Sequence, residues 1–440
     1  MRQPTRDVAP EEAGKPAGKP AGKLAGEPAG KPAGKPLRGN RTFLLLWTGA
    51  GVSVLGVRVS AIAYPLLVLW QTGSATAAGL VGFAAQLPQL LVQLPVGVLV
   101  DRVNRRRLMI GVDIAGCLAV GSLVAALAAG HLWLPHVMAV AFIEGSGTIA
   151  YRLAERAAVR NVVPVEHLPA AMSRNEARGQ AAGLLGQPVG TMLFTATRAL
   201  PFAFTAVTHA VALVLLLLIK QEFQTARQPV RRRLRTEIAE GIAWVWRQRF
   251  LRAAAGIIAG TNVLFQIMAL ALLVIMHRQH RPAIAIGLIL TAAGIGGMIG
   301  ALTADRWMRR LSLYALAVGA TASWAVLMPA VALVHGPVAL GLIFAGMAYV
   351  GGVLNVAASV YQVRITPDEL QGRVASVSTL LASGANSLGV LSAGILLDHL
   401  GVGHTVLGAG AVMVALAVLA ATSPAVRAEG RTASGTIEEI

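Results

Sequence analysis

From Phe43 onward the chain alternates long apolar runs with short polar breaks. Each run is about 20 residues, the length of helix that crosses ~30 Å of hydrocarbon. Twelve are predicted, over residues 43–69, 77–100, 108–129, 134–152, 175–197, 201–219, 251–276, 283–304, 313–334, 337–359, 374–397 and 402–421. A single run of this kind could be a buried helix of a globular protein, but so many in succession cannot be packed in water. The pattern predicts an all-α membrane protein of twelve transmembrane helices.

The polar breaks fall into two alternating sets. One set (the N-terminal tail, 101–107, 153–174, 220–250, 305–312, 360–373 and the C-terminal tail) carries nearly all the Lys and Arg, whereas the other holds Arg198, Arg278 and Arg281. Positive charge gathers on the cytoplasmic side of membrane proteins. Both termini are therefore expected in the cytoplasm, in a multi-pass protein of the plasma (inner) membrane. Composition agrees, with 55% apolar residues among 440 and a mean hydropathy of +0.65. A net charge of +18 and a pI near 11.3 would otherwise point to nucleic acid. The placement of the charges explains them as topology, so nucleic acid is not an expected partner, the lipid bilayer is, and a monomer is expected. The lone Cys117 permits no internal disulfide and makes a thiolate metal site a poor expectation.

Residues 1–40 are read as a disordered tail. Residues 12–36 repeat a four-residue Ala/Gly/Lys/Pro unit, in which regular Pro blocks helix and sheet and almost nothing apolar can build a core. After it the chain repeats itself. "ADRWMRR" (Ala304–Arg310) echoes "VDRVNRR" (Val100–Arg106), with Asp101 and Asp305 204 residues apart. Pro164 in "VVPVEHL" and Pro367 in "ITPDELQ" lie 203 residues apart in equivalent connections. Two parallel-repeat six-helix halves are therefore expected, a plan common among secondary transporters. The predicted organisation is 41–219 for the first half, a cytoplasmic linker over 220–250, 251–421 for the second half, and a disordered tail over 422–440. Within the linker, Leu234, Ile238, Ile242, Val245 and Trp246 share one face of an expected interfacial amphipathic helix.

Residues 41–422 resemble the major facilitator superfamily, in its drug:proton antiporter branch with macrolide and siderophore exporters. The resemblance rests on "TGSATAAGLVGFAAQLPQLLVQLPVGVLVDRVNRRRLMI", "VVPVEHLPAAMSRNEARGQAAGLLGQPVG", "EGIAWVWRQRFLR" and "ITPDELQGRVAS". It implies alternating access around a central cavity, with a cytoplasmic gate motif at Gly97, Asp101, Arg102, Arg105 and Arg106, repeated at Asp305, Arg306, Arg309 and Arg310. Gly97 would let a second helix approach closely. Asp101 would cap the start of the eleventh span near Arg373 and Val374, with Arg102, Arg105 and Arg106 completing an ion network; the alternative is that these arginines only fix topology, the reading preferred for Arg107. The fifth-span motif of antiporters reads "GQPVGT", retaining Gly186, Pro188 and Gly190. Two acidic positions of the branch are absent: Val57 follows Gly56 in the first span, and the sixth begins "PFAFTA".

Catalytic motifs are missing. No H-E-x-x-H occurs, and glycines at intervals of four in the tail cannot form a phosphate-binding G-x-x-x-x-G-K loop. No enzyme activity, cofactor or metal is expected, and an ion gradient, the proton gradient above all, is left as the source of work. An ionisable residue in hydrocarbon is costly and usually functional. The clearest two are Arg58 in the first span and Glu144 in the fourth. Two readings stay open for them: a structural Arg58–Glu144 ion pair, or a proton-carrying Glu144. Tyr64 is placed with them in the cavity and coupling set. Gln86, Gln89 and Gln93 share a face of the second span, and Asn262 and Gln266 share one on the seventh. Two readings stay open for any one of them, a bond between neighbouring helices or a contact to substrate; as a group, converging from both halves, they form the expected substrate site.

The expected function is export of small amphipathic molecules, such as drugs, antibiotics or siderophore-like compounds, by proton-coupled alternating access. The alternatives are transport of a lysolipid or other solute on the same fold, and a non-transporting membrane protein whose basic tail recruits a partner.

Overall fold

The computed structural model describes residues 37–221, 223, 243, 246–247, 249–367 and 370–423. The repeat tail, most of the linker with its expected amphipathic helix, and the C-terminal tail lie outside the described residues. The rest is helical, in the order α1 (Arg41–Thr72), α2 (Ala75–Leu91), α3 (Gln93–Arg102), α4 (Arg105–Ala128), α5 (Leu134–Val162), α6 (Leu168–Ala196), α7 (Leu200–Leu218), α8 (Arg249–Arg278), α9 (Ala283–Met308), α10 (Leu313–Leu333), α11 (Pro337–Ile365), α12 (Gln371–His399) and α13 (Gly401–Thr422). Nine of the described helices are long and apolar enough to cross a membrane by length and composition.

Local chemistry sets the boundaries. Asn40 caps α1 by accepting from the Phe43 N–H at 3.0 Å, and its amide donates to the Val162 carbonyl at the end of α5. Gly73 takes the left-handed conformation, φ 69°, that ends α1, and Ser74 then caps α2 by accepting from the Ala77 N–H. Gly-Ser at a helix-to-helix corner supplies one residue for each need, positive φ and an acceptor. Asn104 and Ser312 cap α4 and α10 in the same way.

The second span, read as one run from the sequence, is two helices. Pro95 has no N–H to give the Leu91 carbonyl and its ring crowds that carbonyl, so the helix breaks at Val92 and restarts as α3. The helices α5, α6 and α11, each of 29 residues, run past their apolar stretches. In α5 the extension is held by burial of Ala154, Glu155, Ala158 and Val159.

Helices α1–α7 pack among themselves, as do α8–α13, and the two groups meet mainly through α2 against α12 and α6 against α9. Small residues allow these approaches: a Cβ on Gly79 would fall 3.0 Å from the Gly394 Cα, and one on Gly287 3.0 Å from the Pro188 Cα. Without a hydrophobic drive between helices in lipid, such close backbone contact supplies the dispersion energy that associates them. The outer surface is apolar, with Leu118, Val326 and Leu342 about 70% exposed (69%, 71% and 71%), as a hydrocarbon solvent requires.

The core divides in an informative way. One cluster runs through both helix groups, joining Leu66, Leu67 and Val81 to Met268, Leu272 and Leu397 at the end away from the Arg-rich connections. Toward the Arg-rich end, the first group has its own core around Phe43, Met109, Val159 and Leu216. The second group has separate ones around Ala304 and Val374. The molecule is joined at one end and divided at the other.

Candidate functional site: a cavity closed at one end

At the joined end the seal is specific. Asp398, at the end of α12, accepts from the Ser74 hydroxyl at 2.8 Å and from the backbone N–H groups of Ala75 at 2.9 Å and Thr76 at 2.7 Å. Those amides open α2 and have no carbonyl partner within the helix. A carboxylate of one helix group thus caps a helix N-terminus of the other. Beside it, Trp70 of α1 contacts His277 of α8 with ring centroids 4.6 Å apart and planes tilted by 57°.

Between the groups lies a cavity of about 960 Å³, reaching toward the Arg-rich end. Its walls come from α6 and α8–α12. Phe265 and Trp324 form an aromatic corner, edge to face at 5.0 Å, and Trp324 is fixed by its indole N–H donating to the Met347 carbonyl at 3.0 Å. Asn262, Gln187, Gln362 and Asn355 are among the neutral polar residues set into mainly apolar walls.

Of the expected site residues, Asn262 lies on this wall. Gln266 instead donates to Gln86 across the two groups at 3.2 Å, and Gln89 accepts from Ser383 of α12 at 3.2 Å. These glutamines fasten the interface at this stage. Gln93 follows the break, half-buried, at the start of α3. Gly186 and Gly190 seat α6 on α1, where a Cβ on Gly190 would lie 2.8 Å from the Val59 carbonyl, and Pro188 faces Gly287 of α9.

The gate motif is described in part. Among the described residues no neighbouring helix comes within 4 Å of a Cβ built on Gly97. Arg105 donates to the carbonyls of Ala157 and Phe223, and Arg106 to those of Leu216 and Leu217. All four acceptors belong to the same helix group or its immediate continuation, and those of Leu216 and Leu217 are last-turn carbonyls of α7, which attract cations. Arg102 is exposed. The side chains of Asp101 and Arg373 lie outside the described residues. In the repeat, Asp305 pairs with Arg309 one turn along its own helix, with Arg306 and Arg310 exposed beside them.

The expected Arg58–Glu144 pair is also corrected. Glu144 is 4% exposed and accepts from Ser60 at 2.6 Å and Tyr64 at 2.5 Å. Residues 60 and 64 lie one turn apart and share a face of α1; position 58 lies about 200° around the helix from 60. Arg58 accordingly points away and is exposed, backing onto Gly186. Glu144 and Tyr64 are interior to the first helix group and are not on the cavity wall.

Beyond Glu144 lies a pair that sequence reasoning passed over. Asp113 of α4, fully buried, bonds His209 Nδ1 of α7 at 3.0 Å and accepts from Ser53 at 3.3 Å. The other ring nitrogen, Nε2, lies 4.0 Å from Glu144 Oε1. Further toward the Arg-rich end, Arg178 forms a bidentate pair with Glu155 at 2.7 and 2.9 Å and donates to the Trp47 carbonyl. The signal for Asp113 and His209 was present as single ionisable residues inside apolar runs; what brings them together is the packing of α4 on α7.

Comparison with known proteins gives a consistent picture. The family model described as Major Facilitator Superfamily matches residues 46–390. The multidrug efflux pump Tap of Mycolicibacterium fortuitum is 28% identical over 399 residues, covering 87% of this chain and 96% of that protein. Macrolide efflux protein A of Streptococcus pyogenes is 24% identical over 392 residues, covering 86% and 94%. Among solved structures, the nucleoside transporter NupG aligns with a TM-score of 0.67 at 12% identity, over 86% of this chain and 98% of that one. A bacterial homolog of the human lysosomal transporter Spinster, inward-facing and unoccupied, aligns with a TM-score of 0.65 at 14% identity, over 91% and 95%.

Proposed function

The chain belongs to the Major Facilitator Superfamily, and on that premise we propose that it exports small amphipathic molecules from the cytoplasm by alternating access, in exchange for protons. The observation that carries this reading is the asymmetry of the core, one shared cluster at one end and separate clusters at the other. A cavity open at one end and sealed at the other by a dismountable contact is what alternating access needs. With the Arg-rich end in the cytoplasm, both termini are cytoplasmic and this is the inward-open state. Closing that end would bring the Gly97–Arg106 motif to α12 and release Asp398 from α2.

The cavity favours amphipathic cargo. Phe265, Trp324 and Met347 offer apolar and aromatic surface, while Asn262, Gln187 and Gln362 offer uncharged hydrogen-bonding groups. Apolar walls with a few placed polar groups bind molecules of that mixed character. The printed activities of the relatives, multidrug and macrolide efflux, fall in the same class.

The test is uptake of a panel of amphipathic compounds into inverted membrane vesicles carrying the protein, with and without an acidic interior. Accumulation that depends on the protein and collapses with a protonophore is expected. Failure of every compound to accumulate under a gradient of either sign, with the protein correctly inserted, overturns the reading.

A further inference from the structure

Inside the first helix group, behind the cavity, two carboxylates and an imidazole form a continuous row. Asp113 on α4 lies eight residues from the Arg-rich end of its helix and Glu144 on α5 ten residues from the opposite end, about 12 and 15 Å inward at 1.5 Å per residue. His209 sits midway along α7 and bridges them, bonding Asp113 through Nδ1 at 3.0 Å and facing Glu144 through Nε2 at 4.0 Å. All three are at least nine-tenths buried. The groups facing them are Ser53, Ser60 and Tyr64 from α1 and Tyr151 from α5. Among the described residues no Lys or Arg forms an ion pair with either carboxylate; their ion pairs are with His209.

That composition sets a charge problem. With His209 neutral and both acids ionised, the row carries two negative charges in a low-dielectric interior, where an uncompensated charge costs several kcal/mol. Two added protons make it neutral, one on the imidazole against Asp113 and one on Glu144. The second proton is the exchangeable one, and the Glu144 carboxyl keeps its hydrogen bonds with or without it, whereas His209 Nε2 and Asp113 Oδ2 have no hydrogen-bond partner among the described residues. When Glu144 is ionised, Ser60 donates to Oε1 and Tyr64 to Oε2, at 2.6 and 2.5 Å. When Oε1 carries a proton, it donates to the Ser60 oxygen. The Ser60 hydroxyl then turns to the Gly56 or Val57 carbonyl, at 3.3 and 3.1 Å. A buried carboxyl satisfied in both forms can exchange a proton without leaving an unpaired group.

We propose that Asp113, His209 and Glu144 are a proton-binding site, distinct from the substrate cavity, which gains and loses a proton in each transport cycle. This inference rests on the proton-exchange reading above. The internal step moves one proton: the Nε2–H bond of the imidazolium breaks, an Oε1–H bond forms on Glu144, and the Nδ1–H stays with Asp113. Closing 4.0 Å to hydrogen-bond range needs about 1 Å of ring or carboxyl movement. The site connects to the moving parts by packing. Ser60 and Tyr64 hold α1, the neighbouring face of α1 seats Gly186 and Gly190 of α6, and α6 meets Gly287 of α9 in the other group.

The experiment compares wild type with His209→Gln, Glu144→Gln and Asp113→Asn in inverted vesicles. Two readouts are taken: accumulation driven by an acidic interior, and exchange of labelled for unlabelled substrate at equal pH. Each variant is expected to lose gradient-driven accumulation at least tenfold while exchange persists, a split that a merely structural defect would not give. In parallel, wild-type protein is treated with a hydrophobic carbodiimide, which reacts with protonated buried carboxyl groups. Adducts on the peptide bearing Glu144 are expected, decreasing as pH rises, and this measurement stands even if a variant fails to fold. Wild-type accumulation indifferent to the pH gradient overturns proton exchange and this site together. Gradient-driven wild-type accumulation, matched by His209→Gln and Glu144→Gln, or no adduct on Glu144 or Asp113 at any pH, overturns the site alone.

Discussion

Replacing Asp398 by alanine should shift the transporter away from the state described here. Asp398 caps two backbone N–H groups of α2 and accepts from Ser74, and alanine removes all three contacts. An N-cap side chain is worth about 0.5–2 kcal/mol, and a negative charge at an exposed helix N-terminus about 0.3–1 kcal/mol. Because Asp398 is at the surface, the lower part of these ranges applies, and about 1.4 kcal/mol changes a population ratio tenfold. The contact exists across the seal between the helix groups. Its loss therefore falls on this state and leaves the state open at the other end untouched. Spin labels at His131→Cys and His335→Cys, exposed in the α4–α5 and α10–α11 loops of the two groups, in a Cys117→Ala background, would report the separation by pulsed electron spin resonance. At about 1 kcal/mol from the lower part of those ranges, the longer-distance population should rise about fivefold relative to the shorter one. An unchanged distance distribution in Asp398→Ala would refute the view that this carboxylate holds the seal.

Gly394→Ala should act in the same direction, since its Cβ would fall 2.6 Å from the Ala75 carbonyl and overpacking costs about 1–3 kcal/mol; the same spin-label pair tests it. Arg178→Ala strands Glu155, buried between α5 and α6, and should lower stability by about 3 kcal/mol, the loss expected for breaking a buried pair. Thermal unfolding in detergent would measure this, with Glu155→Gln in the same chain restoring part of the loss. Asn262→Leu removes a polar group from the cavity wall and should change the preference among panel compounds about tenfold, read as relative uptake rates; unaltered preferences would place substrate elsewhere.

Much of the architecture is legible along the chain because a bilayer demands about 20 apolar residues per crossing, and the polar breaks count the crossings. The corners are legible as well: Gly73 and Ser74 follow from the need for positive φ and a cap. So is the repetition of Asp101 at Asp305. The break at Val92 was available from Pro95 and was overridden by the continuity of the apolar run.

The partners of buried charges were not legible in the same way. Arg58 and Glu144 are the most conspicuous intramembrane charges, and depth alone allows them to meet. Pairing depends on azimuth, however, and the azimuth of α1 is fixed by small residues: Gly186 and Gly190 draw it against α6, and Gly56 lets it lie on Thr205 and Thr208 of α7. That rotation turns Ser60 and Tyr64 toward Glu144 and Arg58 away. Likewise Asp398 and Ser74 are separated by 324 residues, and nothing local to either announces the other. The sequence by itself determined the helical class, the order and the chemistry of the apolar segments, because each follows from local composition against water or lipid. Which end is sealed, and which acids share a histidine, was decided only by how the helices rotate and pack.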